Sequence, residues 1–257
     1  MRRLIAAAAM LAAAVAGRAE ACPEASRTLL WHSCWGEAAV ALHLLPEDLP
    51  LPALDQGAER LTVTGAYTSR EPRAEGRPDP VGLFLRRGEL VGRNLARMVG
   101  ILLVGPDGGA SIVHRRRVPL GSDIYDLGSL GQRATFIARA RAEGLSVMQS
   151  HLLVIDGRSD VAEVENAPAY VRRMIFEDAH GIGLWQTRWP VTLHEAARAI
   201  VAEIGPAMAM NLDMGSYDFC LGEGPAGAVA CGVIQPGGPE MAKLSNLLSL
   251  RLTRAPL

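Results

Sequence analysis

Short apolar runs bounded by glycine, proline and polar turns dominate this chain, and that pattern predicts strands more often than helices. Ala38 to Leu45, closed by Pro46, reads as a first strand and Leu61 to Tyr67 as a second. Ser69 to Pro80 is rich in proline, arginine, glutamate and glycine, so a polar loop is expected there and no packed element. Val81 to Leu85 and Glu89 to Val91 flank a turn at Arg87-Gly88. Gly100 to Val104 and Ala110 to His114 form a hairpin around Pro106-Asp107-Gly108-Gly109. Leu145 to Met148, Leu152 to Ile155 and Leu247 to Leu252 are further strands. A helix is predicted over Gly131 to Glu143, with Ala134, Ile137, Ala138 and Ala142 as its apolar stripe and Gly144 as its C-cap.

The stretch from Tyr170 to Phe219 carries the most chemistry. Val171 to Phe176 has the pattern of a strand, Asp178-Ala179-His180-Gly181 that of a turn, and Leu184 to Trp189 that of the returning strand. Thr192 and Glu195 make a capping box. Leu193, Ala196, Ala197, Ile200, Val201 and Ile204 then recur at the spacing of one buried helical face, which Gly205-Pro206 ends. Ala207 to Leu212 reads as a buried strand that releases Asn211, Asp213, Gly215 and Ser216 at its end. Polar side chains at a strand end, beside a glycine turn, can meet a ligand without disturbing the core. The elements together predict an α+β domain: a mixed, mostly antiparallel β-sheet with a few packed helices.

This series resembles the C-terminal half of the phosphodiester glycosidase family. The resemblance rests on the arginine-bearing strand (Arg172 or Arg173), the helix start Thr192-Leu193-His194-Glu195-Ala196-Ala197, and the strand end Asn211-Leu212-Asp213-Met214-Gly215-Ser216. Gln149-Ser150-His151-Leu152-Leu153-Val154-Ile155-Asp156-Gly157 and Pro80-Val81-Gly82-Leu83 with Gly88 match two further family elements. It runs from about Ala38 to the C-terminus and departs from the family pattern at two places. Met214 replaces the first glycine of the strand-end motif, and Thr64-Gly65-Ala66-Tyr67-Thr68 stands where the family has an Asn-Gly-Gly-Phe-Phe-like element.

Composition changes this picture little. Nearly neutral formal charge, −1, gives no reason to expect a nucleic-acid partner. Residues 1 to 21 read as a signal peptide, with Arg2 and Arg3 before the apolar run Leu4 to Val15 and Ala19-Glu20-Ala21 at the cleavage site. Removing Arg2, Arg3, Arg18 and Glu20 leaves 23 basic against 26 acidic side chains, a net charge of −3. The expected product, residues 22–257, is a single periplasmic or secreted domain with no transmembrane anchor. Cys22 at the new terminus also allows a lipoprotein reading, although Glu20 fits a lipobox badly. Four cysteines, Cys22, Cys34, Cys220 and Cys231, allow three pairings, of which Cys22–Cys34 with Cys220–Cys231 gives two local loops. No ligand spacing points to a metal, and no cofactor is expected.

The reaction that the resemblance implies is hydrolysis of a sugar-1-phosphodiester in a glycan or exopolysaccharide. Such a site needs a cationic grip on phosphate and a carboxylate near the anomeric carbon. Asp213 is the candidate carboxylate, as base or electrostatic stabiliser; its bland role is to hold the amides of the Met214-Gly215 turn. Neighbouring strand residues point to opposite faces, so one of Arg172 and Arg173 is expected to face inward as the phosphate clamp and the other to be a plain surface charge. His180 is a candidate proton donor or simply an exposed turn residue. Asn211, Gly215, Ser216, Thr64, Tyr67, Gln149 and Ser150 are candidate substrate contacts. A triad of Ser216, His180 and Asp213 lacks the Gly-x-Ser-x-Gly elbow. The basic run His114-Arg115-Arg116-Arg117 is either an anion site or a solvated strand end. The alternatives to a phosphodiester glycosidase are a carbohydrate-binding or envelope protein without turnover, which Thr64 and Met214 favour, and an enzyme of the same fold acting on another phosphodiester.

Overall fold

The computed structural model describes residues 29–72 and 78–253. The expected signal peptide and Cys22 lie outside them. Every ladder between strands is antiparallel. With helices α1 (Leu130–Ala142) and α2 (Leu193–Glu203), this is an α+β fold.

Three sheets enclose the main core. One five-stranded sheet orders Gly227–Ala230, Cys220–Gly224, Ala58–Thr64, Asn246–Thr253 and Glu37–Leu44. A second orders Glu89–Gly92, Phe84–Arg86, Ser146–Ser150, Gly100–Val104 and Ala110–His114. The six-stranded sheet runs Leu29–His32, Gly181–Gln186, Arg173–Asp178, Met208–Asn211, Leu152–Ile155 and Arg158–Ser159. Strand alternation decides which residues enter the core: Val40, Leu42 and Leu44 of one strand meet Leu248, Leu250 and Leu252 of its neighbour, with Ile175, Leu184 and Met210 from the six-stranded sheet.

α2 follows from its sequence. The Thr192 hydroxyl accepts the Glu195 amide at 3.2 Å while the Glu195 carboxylate accepts the Thr192 amide at 2.8 Å. Ala196, Ala197 and Ile200 are fully buried against the six-stranded sheet, with Leu193, Val201 and Ile204 at the margin. Gly205, at φ +68°, ends the helix.

Two expectations are corrected. In α1 it is Phe136 and Ala140 that are buried, with Ile137 partly so, while Ala134, Ala138 and Ala142 are exposed. A phenylalanine gains more by burial than an alanine, so the helix turns to place Phe136 against Tyr125, ring centroids 5.7 Å apart. The stretch from Ser69 to Pro80 is not all loop either: Thr68–Pro72 and Pro78–Pro80 pair antiparallel. Prolines are tolerated here because a two-stranded ribbon has only edge strands.

The basic run divides. The Arg115 guanidinium donates to the carbonyls of Ala96 (3.1 Å) and Met98 (3.4 Å), pinning that loop, whereas Arg116 and Arg117 are exposed. Cys220 and Cys231 form a disulfide. Cys34 is also disulfide-bonded. Among the described residues no helix is long and apolar enough to cross a membrane.

Candidate functional site

The site forms where the strand Met208–Asn211 leaves its sheet. Asn211 still pairs with Met174, and its amide donates to the His151 carbonyl at 2.9 Å. The chain then crosses to the neighbouring sheet: the Leu212 amide donates to the Arg173 carbonyl (2.9 Å) and the Asp213 amide to the Gly65 carbonyl (3.0 Å). Gly65 permits this junction because a β-carbon there would meet Asn246 Oδ1 at 2.6 Å. Gly215, at φ +79°, then turns the chain into the short helix Gly215–Tyr217.

Asp213 is therefore held at a seam between two sheets, 6 % exposed. Its Oδ2 accepts the Thr68 amide at 3.1 Å and its Oδ1 the Met214 amide at 3.0 Å. Burial pushes its carboxyl up to about 6, against the pull of those two amides. Both the functional and the bland role foreseen for this residue are thus compatible with its surroundings, since a carboxylate that holds a turn keeps lone pairs for a ligand.

Arg172 precedes the strand Arg173–Asp178 and lines the same cavity, of about 390 Å³, as Asp213. Its Nε donates to the Val191 carbonyl (3.2 Å) and its Nη2 to the Pro168 carbonyl (3.0 Å), and the guanidinium lies 5.0 Å over the Tyr170 ring. Among the described residues it has no carboxylate partner. Burial lowers its pKa, offset by the phenols of Tyr67 and Tyr170. Tyr67 lies between the two charges electrostatically. Burial raises its phenol to about 12, Asp213 adds to that rise and Arg172 opposes it. Asn211 Nδ2 donates to the Tyr67 hydroxyl, while Asn211 Oδ1 is buried without a partner.

Arg173 is not the surface charge foreseen for the arginine that faces away from the pocket. It is completely buried, with Nη1 3.0 Å from Asp218 Oδ1, Nη1 also donating to the Phe219 carbonyl at 3.2 Å, and Nε donating to Gln186 at 2.9 Å. The loop Tyr217–Phe219 covers that face, so both sides of the strand end are enclosed.

Other predicted residues divide in the same way. Gly215, Ser216 and Tyr67 line the cavity with Asn211. Gln149, fully buried, accepts the amides of Leu83 (3.1 Å) and Ala96 (3.0 Å) and donates to the Ala96 and Met98 carbonyls. Ser150 donates to the Asn211 carbonyl. Thr64 donates to the Tyr217 carbonyl and accepts the Phe219 amide at 3.0 Å. These three brace the site without lining it. His180 sits at the opposite end of the strand, its amide on Asp178 Oδ1 (2.7 Å) and its carbonyl taking the Ser33 hydroxyl (3.0 Å). It lines a separate hollow with Ser33, so the Ser216–His180–Asp213 triad is not assembled.

Sequence reasoning missed Tyr170, Thr68 and Tyr217 as lining residues. Tyr170 carried a signal, because it lies two residues before Arg172 and extended backbone puts such pairs on one side. Tyr217 carried none: its position depends on the turn at Gly215.

The chain matches no protein-family model and no curated protein. Among solved structures it is similar to the catalytic domain of zebrafish N-acetylglucosamine-1-phosphodiester alpha-N-acetylglucosaminidase, auto-inhibited by its pro-peptide, with TM-score 0.47 and 11% identity over 87% of this chain and 74% of that one. It is also similar to a hypothetical protein from Synechocystis (0.45, 11%, 88% and 58%) and to a Burkholderia pseudomallei protein described as exported (0.44, 14%, 83% and 71%). At these identities the likeness is one of fold, and function is argued from the side chains.

Proposed function

We propose that the chain is an exported hydrolase of sugar-1-phosphodiester bonds in a glycan or exopolysaccharide. The observation that carries this reading is that Arg172, a guanidinium without a carboxylate partner among the described residues, lines one cavity with Asp213, a carboxyl raised to about 6. A cation left unpaired is suited to a ligand anion, and guanidinium suits phosphate best. Tyr67 and Tyr170 add aromatic surface against which a sugar ring can rest. The disulfide Cys220–Cys231 supports an oxidising compartment.

In this reading Arg172 holds the phosphoryl oxygens and Asp213, ionised above about pH 6, takes a proton from the attacking water. The water oxygen bonds to the anomeric carbon as the bond from that carbon to the phosphate oxygen breaks. The electron pair leaves with the phosphomonoester, which is stable enough to depart without a strong general acid. The Asp213 charge also stabilises the oxocarbenium character that develops on the sugar. Tyr67, protonated until about pH 12, keeps its proton to donate to substrate.

A sugar-1-phosphodiester with a chromogenic alcohol tests the proposal. Free sugar and phosphomonoester are expected from the native protein, and Asp213→Asn should abolish their release while sparing binding. The second reading, a glycan-binding protein on the same fold, is favoured by the Thr64 hydroxyl being wholly engaged with the Tyr217–Phe219 loop. It prevails if glycan binds, no product forms and Asp213→Asn leaves binding unchanged.

A further inference from the structure

A second hollow, of about 500 Å³, shares no lining residue with the cavity of Arg172 and Asp213. Its floor is the outward face of the five-stranded sheet that ends in the edge strand Glu37–Leu44. Ala41 pairs with Ser249 and Ala39 with Arg251, so strand alternation gathers them, with His43, on the side away from the Val40–Leu250 core. The loop of Pro52–Leu54 and the turns at Arg87 and Pro106 of the other five-stranded sheet form the walls.

His43 is 3 % exposed and shares a hydrogen bond with Ser249 Oγ at 2.8 Å. Its Nδ1 is buried without a partner, as is Thr62 Oγ1 one strand over. Ordinary packing rarely leaves such atoms unmet. The pair is not a nucleophile and base: burial, opposed by the Asp48 carboxylate and assisted by Arg87, Arg60 and Arg86, lowers the imidazole to about 4, too weak to activate a serine at neutral pH. Three guanidinium groups line the hollow. Arg60 is paired with Glu223 (2.8 Å) and Arg251 with Asp55 (2.6 Å). Arg87 has no carboxylate partner among the described residues, and Asp107 at the rim has its Oδ1 on the Gly109 amide. Arg87 also occupies a left-handed turn position, φ 49° before Gly88 at 80°, where asparagine or glycine is the easier residue. A cation is thus kept, at a conformational cost, beside a largely apolar hollow that His43 lines while its Nδ1 has no partner.

We propose that this hollow binds a small organic acid, its carboxylate on Arg87 beside the His43–Ser249 pair and its hydrocarbon part against Ala41, Leu54 and Pro106. This site is independent of the hydrolase reading and stands or falls without it. The test is titration of the full chain with hexanoate, followed through the imidazole NMR signals of His43, with neutral hexanamide as the control. Saturable shifts with hexanoate and none with hexanamide are expected. Arg87→Asn, which suits the left-handed turn and so keeps the fold, should weaken hexanoate binding about tenfold or more, as loss of a charge-assisted bond does. Absence of saturable shifts, equal binding of the amide, or unchanged binding by Arg87→Asn in a folded protein would each overturn the proposal.

Discussion

The two ends of the strand Arg173–Asp178 carry similar residue types and do different work. At the far end His32 Nε2 lies 3.0 Å from Asp178 Oδ2, its Nδ1 accepts the Cys34 amide at 3.1 Å, and its ring stacks on Phe176. Glu177 beside it accepts the Ile112 amide at 2.7 Å. Asp178 and Glu177 are thus each answered by another part of the protein, and His32 is set against a carboxylate although its Nε2 lacks a well-directed hydrogen bond. At the near end Arg173 is answered as fully, by Asp218 and Gln186, but its neighbour Arg172 has only carbonyls and a tyrosine face. Charge alone therefore does not nominate a site. A charge that the fold positions in a cavity but leaves without a counter-charge is the better candidate.

The largest test of that contrast is Arg173→Ala, which strands Asp218 in a covered loop and should lower stability by about 3–5 kcal/mol, read by denaturant unfolding. A loss no larger than that of Arg172→Ala would erase the distinction between the two arginines. Next comes the protonation of Asp213. Because its folded pKa is raised to about 6 from 3.8, its stabilising contribution is full below pH 3.8 and lost as pH rises through 6. That window should be worth about 3 kcal/mol, and Asp213→Asn should flatten it in unfolding curves taken across pH. Reducing Cys220–Cys231, which closes a separation of 11 residues next to the Tyr217–Phe219 loop, should cost about 2–3 kcal/mol, seen as a lower melting temperature. Arg172→Ala should weaken phosphate-bearing ligands about tenfold or more and bare sugars little, by calorimetry; equal losses would contradict the clamp. The smallest effect is Thr192→Ala, about 1 kcal/mol of stability from the lost cap, with the cavity's ligand affinity unchanged.

Local signals were legible in the sequence. Gly100–Val104 and Ala110–His114 form the hairpin that their short apolar runs and central Pro-Asp-Gly-Gly turn predict. The capping box fixes α2, and the polar cluster after Met208–Asn211 does end in a cavity. What stayed hidden depends on partners far along the chain. Arg173 is buried because Asp218, 45 residues later, folds over it, and nothing local to Arg173 carries that information. His180 looks like a site residue in the linear order, yet its turn lies at the wrong end of the strand. The prolines at 72, 78 and 80 hid a ribbon whose pairing needs no central ladder.

The proposed hydrolysis turns on Asp213 acting as an ionised base in the cavity it shares with Arg172. Its most direct test is kcat/KM for a sugar-1-phosphodiester measured across pH. The expected profile rises through about pH 6 and disappears, with the activity, in Asp213→Asn. A flat profile in the native protein, or native rates in Asp213→Asn, would contradict it.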